Sequence, residues 1–414
     1  MQPKRVTKPV KEENMNKYNY TQLEMPLLET LNEMGGRSDT QTIYKALAEK
    51  LNLSESEREA RCGTSTHKRF DRMVRWVRQN LVIDGFISGE SKGIWSLTEK
   101  AKSFLKNAKP GVLIKAYEVY DNEGNVQGVA LWGEAAVASN VIENGSINLI
   151  ITSPPFPLAW EMPYGNKAED KYIDWFLPMA EQFYDCLAED GSFVLELRNT
   201  YIKGQPIQSL YIHELVLALC KEIGFYLAQE HYSHNQGALT TTNWVTIKRT
   251  RVTNSVNNLL WLTKTPNPKA DNRRVLIPYS AAYKKLLSNG GYPAYKRSSG
   301  HVLDKFTKDN GGKIPSNLII ANSVSNSKYI RYCKENGLPV HPARFSPSVP
   351  EYFIKLTTEP GDIVYDPFSG SNEVGRVCKL LDRRFIVSEK SLIYLQGSIG
   401  QFDSADVKTN EQLL

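Results

Sequence analysis

The chain has 414 residues and a formal net charge of +6, and 41% of its residues are apolar and 23% charged, a composition typical of a globular protein long enough for two or three domains. It contains no apolar run of membrane-spanning length and no apolar signal segment at its start, which disfavours an integral membrane protein and a secreted protein. The five cysteines are scattered without a CxxC pair, which disfavours a disulfide framework or a thiolate zinc site and fits a reducing cytoplasm.

The first part of the chain is predicted to contain a disordered leader, residues 1–20, and a winged-helix-like domain, residues 21–107. Apolar spacing predicts three helices in this domain, and the segments LVIDGFIS and GIWSLT predict two strands joined by a turn, followed by a helix at 99–106. The apolar residues expected to face inward from the three helices are Leu23, Leu27, Leu28, Leu31, Met34, Ile43, Leu47, Leu51, Phe70, Met73, Val74 and Val77.

The third helix of this domain is predicted to carry a basic face. Its cations are Lys68, Arg69, Arg72, Arg75 and Arg78, with only Asp71 against them. A basic helix lying in a DNA groove is one interpretation, and a protein-interaction module or a merely solvated face are the alternatives. Three helices with a strand pair resemble the N-terminal winged-helix domains of some restriction-system proteins.

Beyond a Lys-Pro-Gly break near residue 110, short apolar runs alternate with helix-like stretches. Runs that are apolar on both faces are typical of a parallel sheet covered by helices. The predicted fold is therefore a doubly wound, Rossmann-like α/β domain. The apolar runs are INLIIT (147–152), SFVLEL (192–197), NLLWLT (258–263), DIVYD (362–366) and RFIVSE (384–389), and the helix-like stretches cover 171–188, 209–223 and 373–381.

Residues 231–313 interrupt this alternation and are predicted to form an inserted region. Its residues 241–313 contain 14 basic and 3 acidic side chains. Because Lys and Arg release condensed counterions when they neutralise phosphates, this excess favours a polyanionic partner, with a solvated basic face as the alternative. On this division the α/β domain comprises residues 112–230 and 314–402, and residues 403–414 are a tail.

The sharpest local motif is Ser153-Pro154-Pro155-Phe156, directly after the predicted strand INLIIT. Neither proline has an N–H group, so the pair ends the strand in a stiff, extended turn. That turn lies at the carboxyl ends of the parallel strands, which is the side of the sheet where α/β folds bind their ligands. A hydroxyl, exposed carbonyls and an aromatic ring on a rigid loop are suited to a planar amine, although a simple strand-ending turn has the same pattern.

A second motif runs from Asp366 to Asn372, with the sequence DPFSGSN, between a predicted strand and a predicted helix. A strand, a tight glycine-containing loop and a helix form a nucleotide-type cofactor site. The next strand ends in Glu389, about 20 residues on, where a carboxylate can accept hydrogen bonds from ribose hydroxyls. The GxGxxG pattern of dinucleotide binders is missing, which disfavours NAD.

The order of these motifs resembles the β class of DNA amino-methyltransferases. In that family a catalytic S/D-P-P-Y/F motif precedes the target-recognition region, and the cofactor motif D-P-F-x-G-S-G follows. The resemblance implies that the predicted insertion, residues 231–313, is the target-recognition region. Between them, the segment from His341 to Pro347 is similar to the family's H-P-A-R-F-P segment. The chain departs from the family pattern at Asn372, which replaces the second glycine of the cofactor motif, and at an extra Ser346.

The resemblance implies S-adenosyl-L-methionine as the methyl donor, no metal, and a specific sequence in double-stranded DNA as the substrate. It implies that the Ser153 hydroxyl and the Pro154 carbonyl accept the two hydrogens of an exocyclic amine, while Phe156 stacks on a flipped-out base. It also implies a restriction-modification system with a possible cognate endonuclease. The implied catalytic residues are Ser153, Pro154, Pro155 and Phe156, and the implied cofactor-binding residues are Phe345, Asp366, Pro367, Phe368, Gly370, Ser371, Asn372 and Glu389.

Several alternatives remain open at this point. The family tends to pair S-P-P with cytosine N4 and D/N-P-P with adenine N6, so Ser153 favours cytosine and leaves adenine as the alternative. Methylation of cytosine C5 requires a cysteine nucleophile, usually after proline, and no cysteine here follows a proline. Asn372 also allows a non-catalytic DNA-binding protein on a decayed fold, and the loops alone do not exclude RNA or protein as the substrate.

Overall fold

The computed structural model of the protein describes residues 23–51, 53–61, 68–83, 85–88, 93–107, 113–158, 167–202, 204–235, 242–290, 308–321, 327–410 and 413. The predicted leader lies outside these residues. The N-terminal elements are α1 (Glu24–Glu33), β1 (Arg37–Asp39), α2 (Thr40–Lys50), α3 (Glu55–Glu59), α4 (Arg69–Ile83), β2 (Ile94–Ser96) and α5 (Glu99–Asn107).

The N-terminal helices pack largely as predicted, and local contacts explain where two of them begin or end. Asp39 caps α2 by accepting hydrogen bonds from the backbone N–H groups of Gln41 and Thr42, because its carboxylate satisfies donors that have no partner within the helix. Two glycines with positive φ, Gly35 and Gly36, end α1. The inward-facing residues predicted for the helices are buried, except that Met34 and Leu51 are only partly buried.

The predicted strand LVIDGFIS is wrong in its first half, because residues 81–83 continue α4. Leu81 follows Val77 by four residues and extends the same buried helix face. Gly85, with φ of +74°, follows the helix. Only then does the chain form a short bridge, between Ile87 and Leu97, and the main partner of β2 is β1.

The basic face of α4 is less exposed than predicted. Of its five predicted cations, Arg75 is exposed and the other four are half-buried. Lys68 pairs with Glu59 at 2.6 Å. The Arg78 guanidinium lies over the Trp95 ring, 5.9 Å from its centroid. Part of the positive charge is thus engaged within the domain itself.

The described residues after α5 contain a ten-stranded mixed sheet together with the helices that cover it. The strand order is β12-β3-β4-β11-β10-β5-β6-β8-β7-β9. Strands β4, β11, β10, β5 and β6 are parallel neighbours, which confirms the doubly wound α/β fold. The strands are β3 (Ile114–Tyr120), β4 (Val126–Trp132), β5 (Ile147–Thr152), β6 (Leu187–Arg198), β7 (Tyr226–His234), β8 (Val256–Thr263), β9 (Leu318–Ile320), β10 (Ile363–Asp366), β11 (Arg384–Glu389) and β12 (Val407–Thr409).

Helices cover both faces of the parallel strands. Leu149 and Ile151 of β5 face the cluster that contains the helices α11 and α12, whereas Ile150 faces the cluster that contains α7 and α8. Alternate residues of a strand point to opposite faces, so a central strand must be apolar throughout. The helices are α6 (Ala135–Ser139), α7 (Tyr172–Cys186), α8 (Tyr211–Ala218), α9 (Ala281–Ser288), α10 (Ser327–Glu335), α11 (Ser348–Thr357), α12 (Glu373–Leu380) and α13 (Leu392–Ser398).

Two predicted boundaries differ from the structure. Strands β3 and β4 are joined by a tight hairpin turn, in which the Asp121 carboxylate accepts the backbone N–H groups of Glu123 and Asn125. The predicted insertion at 231–313 contributes the end of β7 and all of β8 to the central sheet. The predicted tail contributes β12, which pairs with β3, and a buried Leu413.

Candidate active site

The two predicted motifs meet at the carboxyl ends of neighbouring parallel strands. Strand β5 ends at Thr152, directly before Ser153, and β10 ends at Asp366. The Thr152 hydroxyl donates to the Asp366 carboxylate at 2.7 Å, and both side chains are buried. Residues 214 positions apart in the chain are thereby joined, and the first motif lies beside the second at the ligand-binding edge of the sheet.

Glu389 organises the loop of the second motif. One of its carboxylate oxygens accepts the backbone N–H of Gly370 at 3.0 Å, and the other accepts the backbone N–H of Ser391 at 2.8 Å. Burial raises the pKa of this carboxyl group, and these two backbone hydrogen bonds act against that rise. Each oxygen retains a further lone pair, so Glu389 can hold its own loop and still accept from a ligand.

Gly370 lies in this loop with φ of +49°, a conformation that residues with a side chain rarely adopt. A methyl group there would also come within 3.0 Å of the His341 Nε2 atom. The Nδ1 atom of the same imidazole accepts the backbone N–H of Ala343 at 3.3 Å, and burial lowers the pKa of His341 to about 4. A neutral ring of the HPARF segment therefore covers the glycine of the cofactor loop.

We expect Gly370→Ala to lower stability by about 1–2 kcal/mol, because its backbone is left-handed, and to weaken cofactor binding as the loop moves away from His341. Gly337→Ala is a matched control, since Gly337 has φ of +67° but open space around it. Chemical denaturation and isothermal calorimetry would separate the two effects. Equal cofactor affinity in both variants would contradict this role of the glycine.

Asn372 is compatible with an intact loop. It has φ of 56° and ψ of 45°, which asparagine tolerates better than most residues. Its side-chain oxygen accepts the backbone N–H of Gly375 and so caps α12, and its side-chain nitrogen donates to the Tyr117 hydroxyl at 2.9 Å. Asn372, which replaces the family glycine, therefore provides a helix cap. Its presence no longer favours a decayed, non-catalytic fold.

Two serine hydroxyls at this site are buried without a hydrogen-bond partner among the described residues. They belong to Ser369, in the cofactor loop, and Ser391, two residues after Glu389. Such a hydroxyl costs free energy unless something binds to it. Ser371 is buried as well, and its carbonyl accepts from Gln401. Together with Glu389, the two hydroxyls provide polar groups for a ligand rich in hydroxyl, amine and carboxylate groups.

Burial raises the pKa of Asp366 from 3.8 to about 7, even though hydrogen bonds from Thr152 and the Phe368 backbone lower it. The folded protein therefore binds a proton in a pH range where the unfolded chain has released it. The stability contributed by this group is present below about pH 4 and is lost as the pH rises to about 7, since folding takes up a proton in that window.

We expect the unfolding free energy of the cofactor-free protein to fall across this window, and Asp366→Asn to flatten the slope. A difference of one bound proton corresponds to about 1.4 kcal/mol per pH unit. Denaturant titrations at a series of pH values would measure the slope for both proteins. Identical slopes would show that Asp366 does not titrate in this range.

Ser153 has a partner that the sequence analysis missed. Its side chain hydrogen-bonds to Glu196, a buried carboxyl group near the end of β6. Glu196 also accepts from the Ser233 hydroxyl at 2.7 Å and from the Asn257 amide at 3.1 Å. Burial raises the pKa of Glu196, whereas these hydrogen bonds lower it. An acidic residue inside the otherwise apolar run SFVLEL was the available signal.

The other predicted residues lie around these groups. Phe156 packs against the cluster that contains α7, and the Phe368 ring lies 6.1 Å from the Trp175 ring. Phe345 packs against the cluster that contains α11. Pro154 and Pro367 are buried, whereas Pro155, Phe156, Phe345 and Phe368 are half-buried. The half-buried rings of Phe156 and Phe368, one from each motif, thus pack against the same cluster.

Neither a metal cluster nor a membrane-spanning helix is found within the described ranges. Groups of three or more His, Cys, Asp or Glu side chains placed to hold a metal ion do not occur there. No described helix has both the length and the apolar character needed to cross a bilayer.

Two family models match the chain. Residues 147–399, which contain both motifs, match the N6/N4 DNA methylase model. Residues 20–107 match the model of the Mrr N-terminal domain. The first match covers more than half of the chain and includes every predicted site residue.

Individual relatives point in the same direction. The chain is 42% identical over 262 residues to the type II methyltransferase M.PvuII of Proteus hauseri, covering 62% of this chain and 78% of the relative. It is 26% identical to the type II methyltransferase M.HpaI of Haemophilus parainfluenzae, covering 64% and 70%. A solved structure, PvuII DNA methyltransferase (cytosine-N4-specific), is similar with a TM-score of 0.55 and 33% identity, covering 69% of this chain and 90% of that one.

Proposed function

The chain belongs to the N6/N4 DNA methylase family, and we propose that it transfers a methyl group from S-adenosyl-L-methionine to cytosine N4 in double-stranded DNA. The observation that carries the proposal is the hydrogen bond between Thr152 and Asp366, which holds the SPPF motif beside the cofactor loop. The resemblance drawn from the ordered motifs agrees with the family match.

The residues of the second motif fit S-adenosyl-L-methionine. Glu389 can accept from ribose hydroxyls, and the partnerless hydroxyls of Ser369 and Ser391 can bind polar groups of the ligand. The half-buried ring of Phe368 offers an apolar face to a purine. When bound, this cofactor supplies an electrophilic methyl group on a sulfonium.

The first motif increases the nucleophilicity of the target amine. An exocyclic amino nitrogen is a poor nucleophile because its lone pair is delocalised into the ring. The Ser153 hydroxyl and the Pro154 carbonyl accept its two hydrogens and favour a tetrahedral nitrogen, while Phe156 stacks on the base. The base must leave the duplex to reach this edge of the sheet.

Glu196 orients the Ser153 hydroxyl. When Ser153 donates its hydrogen to this carboxylate, its oxygen lone pairs face outward and accept from the amine. The methylated nitrogen must then lose a proton. Ser153 can take that proton while its own hydrogen moves to Glu196, whose raised pKa makes it a competent acceptor. Glu196 is a positioning residue, because it acts through Ser153.

Two observations favour cytosine over adenine. The motif begins with Ser153 rather than an aspartate or asparagine, and the PvuII enzyme named above is cytosine-N4-specific. Adenine N6 is the second candidate, because the family model covers both kinds of enzyme. The two candidate activities are distinguished by the methylated nucleoside that each produces.

The proposed DNA contacts come from two regions. The basic residues between 242 and 290 follow β7 and β8, and the N-terminal domain presents Arg75. We also propose a cytoplasmic enzyme of a restriction-modification system, with a cognate endonuclease as partner. Plasmid DNA isolated from cells expressing the protein should then resist that endonuclease.

Transfer of a labelled methyl group tests the proposed function. The protein should label plasmid duplex DNA in proportion to the number of recognition sites, and should label RNA and bulk protein far less. The Ser153→Ala variant provides the background. Labelling of RNA in preference to duplex DNA, or no labelling of any polymer despite cofactor binding, would contradict the proposal.

A further inference from the structure

The connection between β7 and β8 begins and ends beside the SPPF motif. Asn257, near the start of β8, is paired with Arg198, the last residue of β6, and with Ser233 of β7. Asn257 and Ser233 both donate to Glu196, which also hydrogen-bonds to Ser153. One carboxylate therefore joins both ends of the connection to the motif serine.

The described part of this connection, residues 242–255, is held by its own backbone. The Trp244 carbonyl accepts the N–H groups of Thr250 at 2.9 Å and Arg251 at 3.3 Å, and the Asn243 carbonyl accepts the N–H of Lys248 at 2.7 Å. At the base of the connection, the Asn235 N–H donates to the Ser255 carbonyl. Backbone hydrogen bonds within the chain thus hold these described residues of the connection in place.

The outer surface of this loop combines apolar side chains with cations. Ile247 is 66% exposed and Val252 is 86% exposed. Lys248, Arg249 and Arg251 are exposed beside them, and residues 231–270 contain no Asp or Glu. Basic side chains with no acidic residue nearby in the sequence are suited to binding the phosphates of DNA. An exposed apolar side chain among them can insert between stacked bases.

We propose that Ile247 enters the duplex at the position that the flipped target base leaves, while Lys248 and Arg251 bind the flanking phosphates. Ile247 would then act as a wedge, a side chain that fills the position vacated by the base. This inference rests on the proposed function, because a wedge is needed only where a base is extruded. Ile247 is the better wedge than Val252, since it is longer and its backbone belongs to the hydrogen-bonded turn. A β-branched side chain also has few rotamers to lose on insertion.

The test compares a paired with a mismatched target base, because extrusion costs least for a base that is already unpaired. We expect Ile247→Ala to lower the single-turnover rate about tenfold on the paired duplex and to stay within about twofold of wild type on the mismatched one. Leu380→Ala is the matched control, since Leu380 is 68% exposed at the far end of α12. Equal losses on both duplexes, or no loss on the paired one, would overturn the wedge.

A binding measurement separates this inference from the proposed function. By fluorescence anisotropy, the wild type should bind a labelled duplex with one abasic site more tightly than the intact duplex, and Ile247→Ala should lose this preference. A wild type without the preference would overturn the wedge even if methyl transfer is found. The preference without any methyl transfer would support the wedge and overturn the proposed function.

Discussion

Ser153→Ala should lower the single-turnover rate of methyl transfer by about 10²-fold or more while leaving the affinity for S-adenosyl-L-methionine nearly unchanged. The substitution removes the hydroxyl that accepts a hydrogen from the target amine, an interaction that strengthens only as the nitrogen becomes tetrahedral. The cofactor loop is held separately by Glu389, so its geometry should persist. Rapid-quench kinetics and calorimetry would provide the two quantities.

Ser146→Ala is the matched control for this variant. Ser146 lies just before the other end of β5, where its hydroxyl donates to the Glu143 carbonyl on the exposed surface. Its loss should change neither quantity. If Ser153→Ala weakened cofactor binding as much as turnover, the hydroxyl would be supporting the fold of the site rather than the reaction.

Glu389→Gln should weaken cofactor binding by about 100-fold. In the wild type the backbone N–H groups of Gly370 and Ser391 each donate to one oxygen of the Glu389 carboxylate. The glutamine amide retains one acceptor oxygen but turns an NH₂ donor toward one of these two N–H groups. It also removes the charge that strengthens hydrogen bonds from ribose hydroxyls. Hydrogen bonds to charged groups contribute about 1.5–3 kcal/mol each, so the loss of one or two accounts for this factor.

Asp362→Asn controls for the loss of a carboxylate on a neighbouring strand. Asp362 immediately precedes β10, at the amino end of the strand and away from the site, where it pairs with Lys269 at 2.7 Å. Its substitution should leave the dissociation constant of the cofactor unchanged. Unaltered cofactor affinity in Glu389→Gln would remove that carboxylate from the binding site.

The central strands could be predicted because they are apolar on both faces. INLIIT and RFIVSE correspond to β5 and β11 residue for residue. Strands β4 and β7 could not, since β4 begins at Val126 and β7 at Tyr226, both exposed. Half-exposed strands mix polar and apolar residues, and their pairing depends on contacts far along the chain. For the same reason the predicted insertion concealed the end of β7 and the predicted tail concealed β12, whereas most of β8 was among the predicted apolar runs.

The site was predictable where its residues are contiguous. The SPPF and DPFSGSN motifs each combine a strand end with a stiff or tight loop, which can be recognised locally. Glu196 was missed because its function depends on Ser233 of β7 and Asn257 of β8, and the pairing of these strands is not evident from the sequence. Asn372 looked like a defect because its cap to Gly375 exists only in the folded loop.

The identity of the methylated nucleoside tests the central claim most directly. Duplex DNA would be incubated with the protein and a cofactor carrying a deuterated methyl group, digested to nucleosides and analysed by mass spectrometry. We predict that the label appears in N4-methyldeoxycytidine and that Ser153→Ala leaves almost none. Label in N6-methyldeoxyadenosine or in C5-methyldeoxycytidine, or in no nucleoside at all, would contradict it.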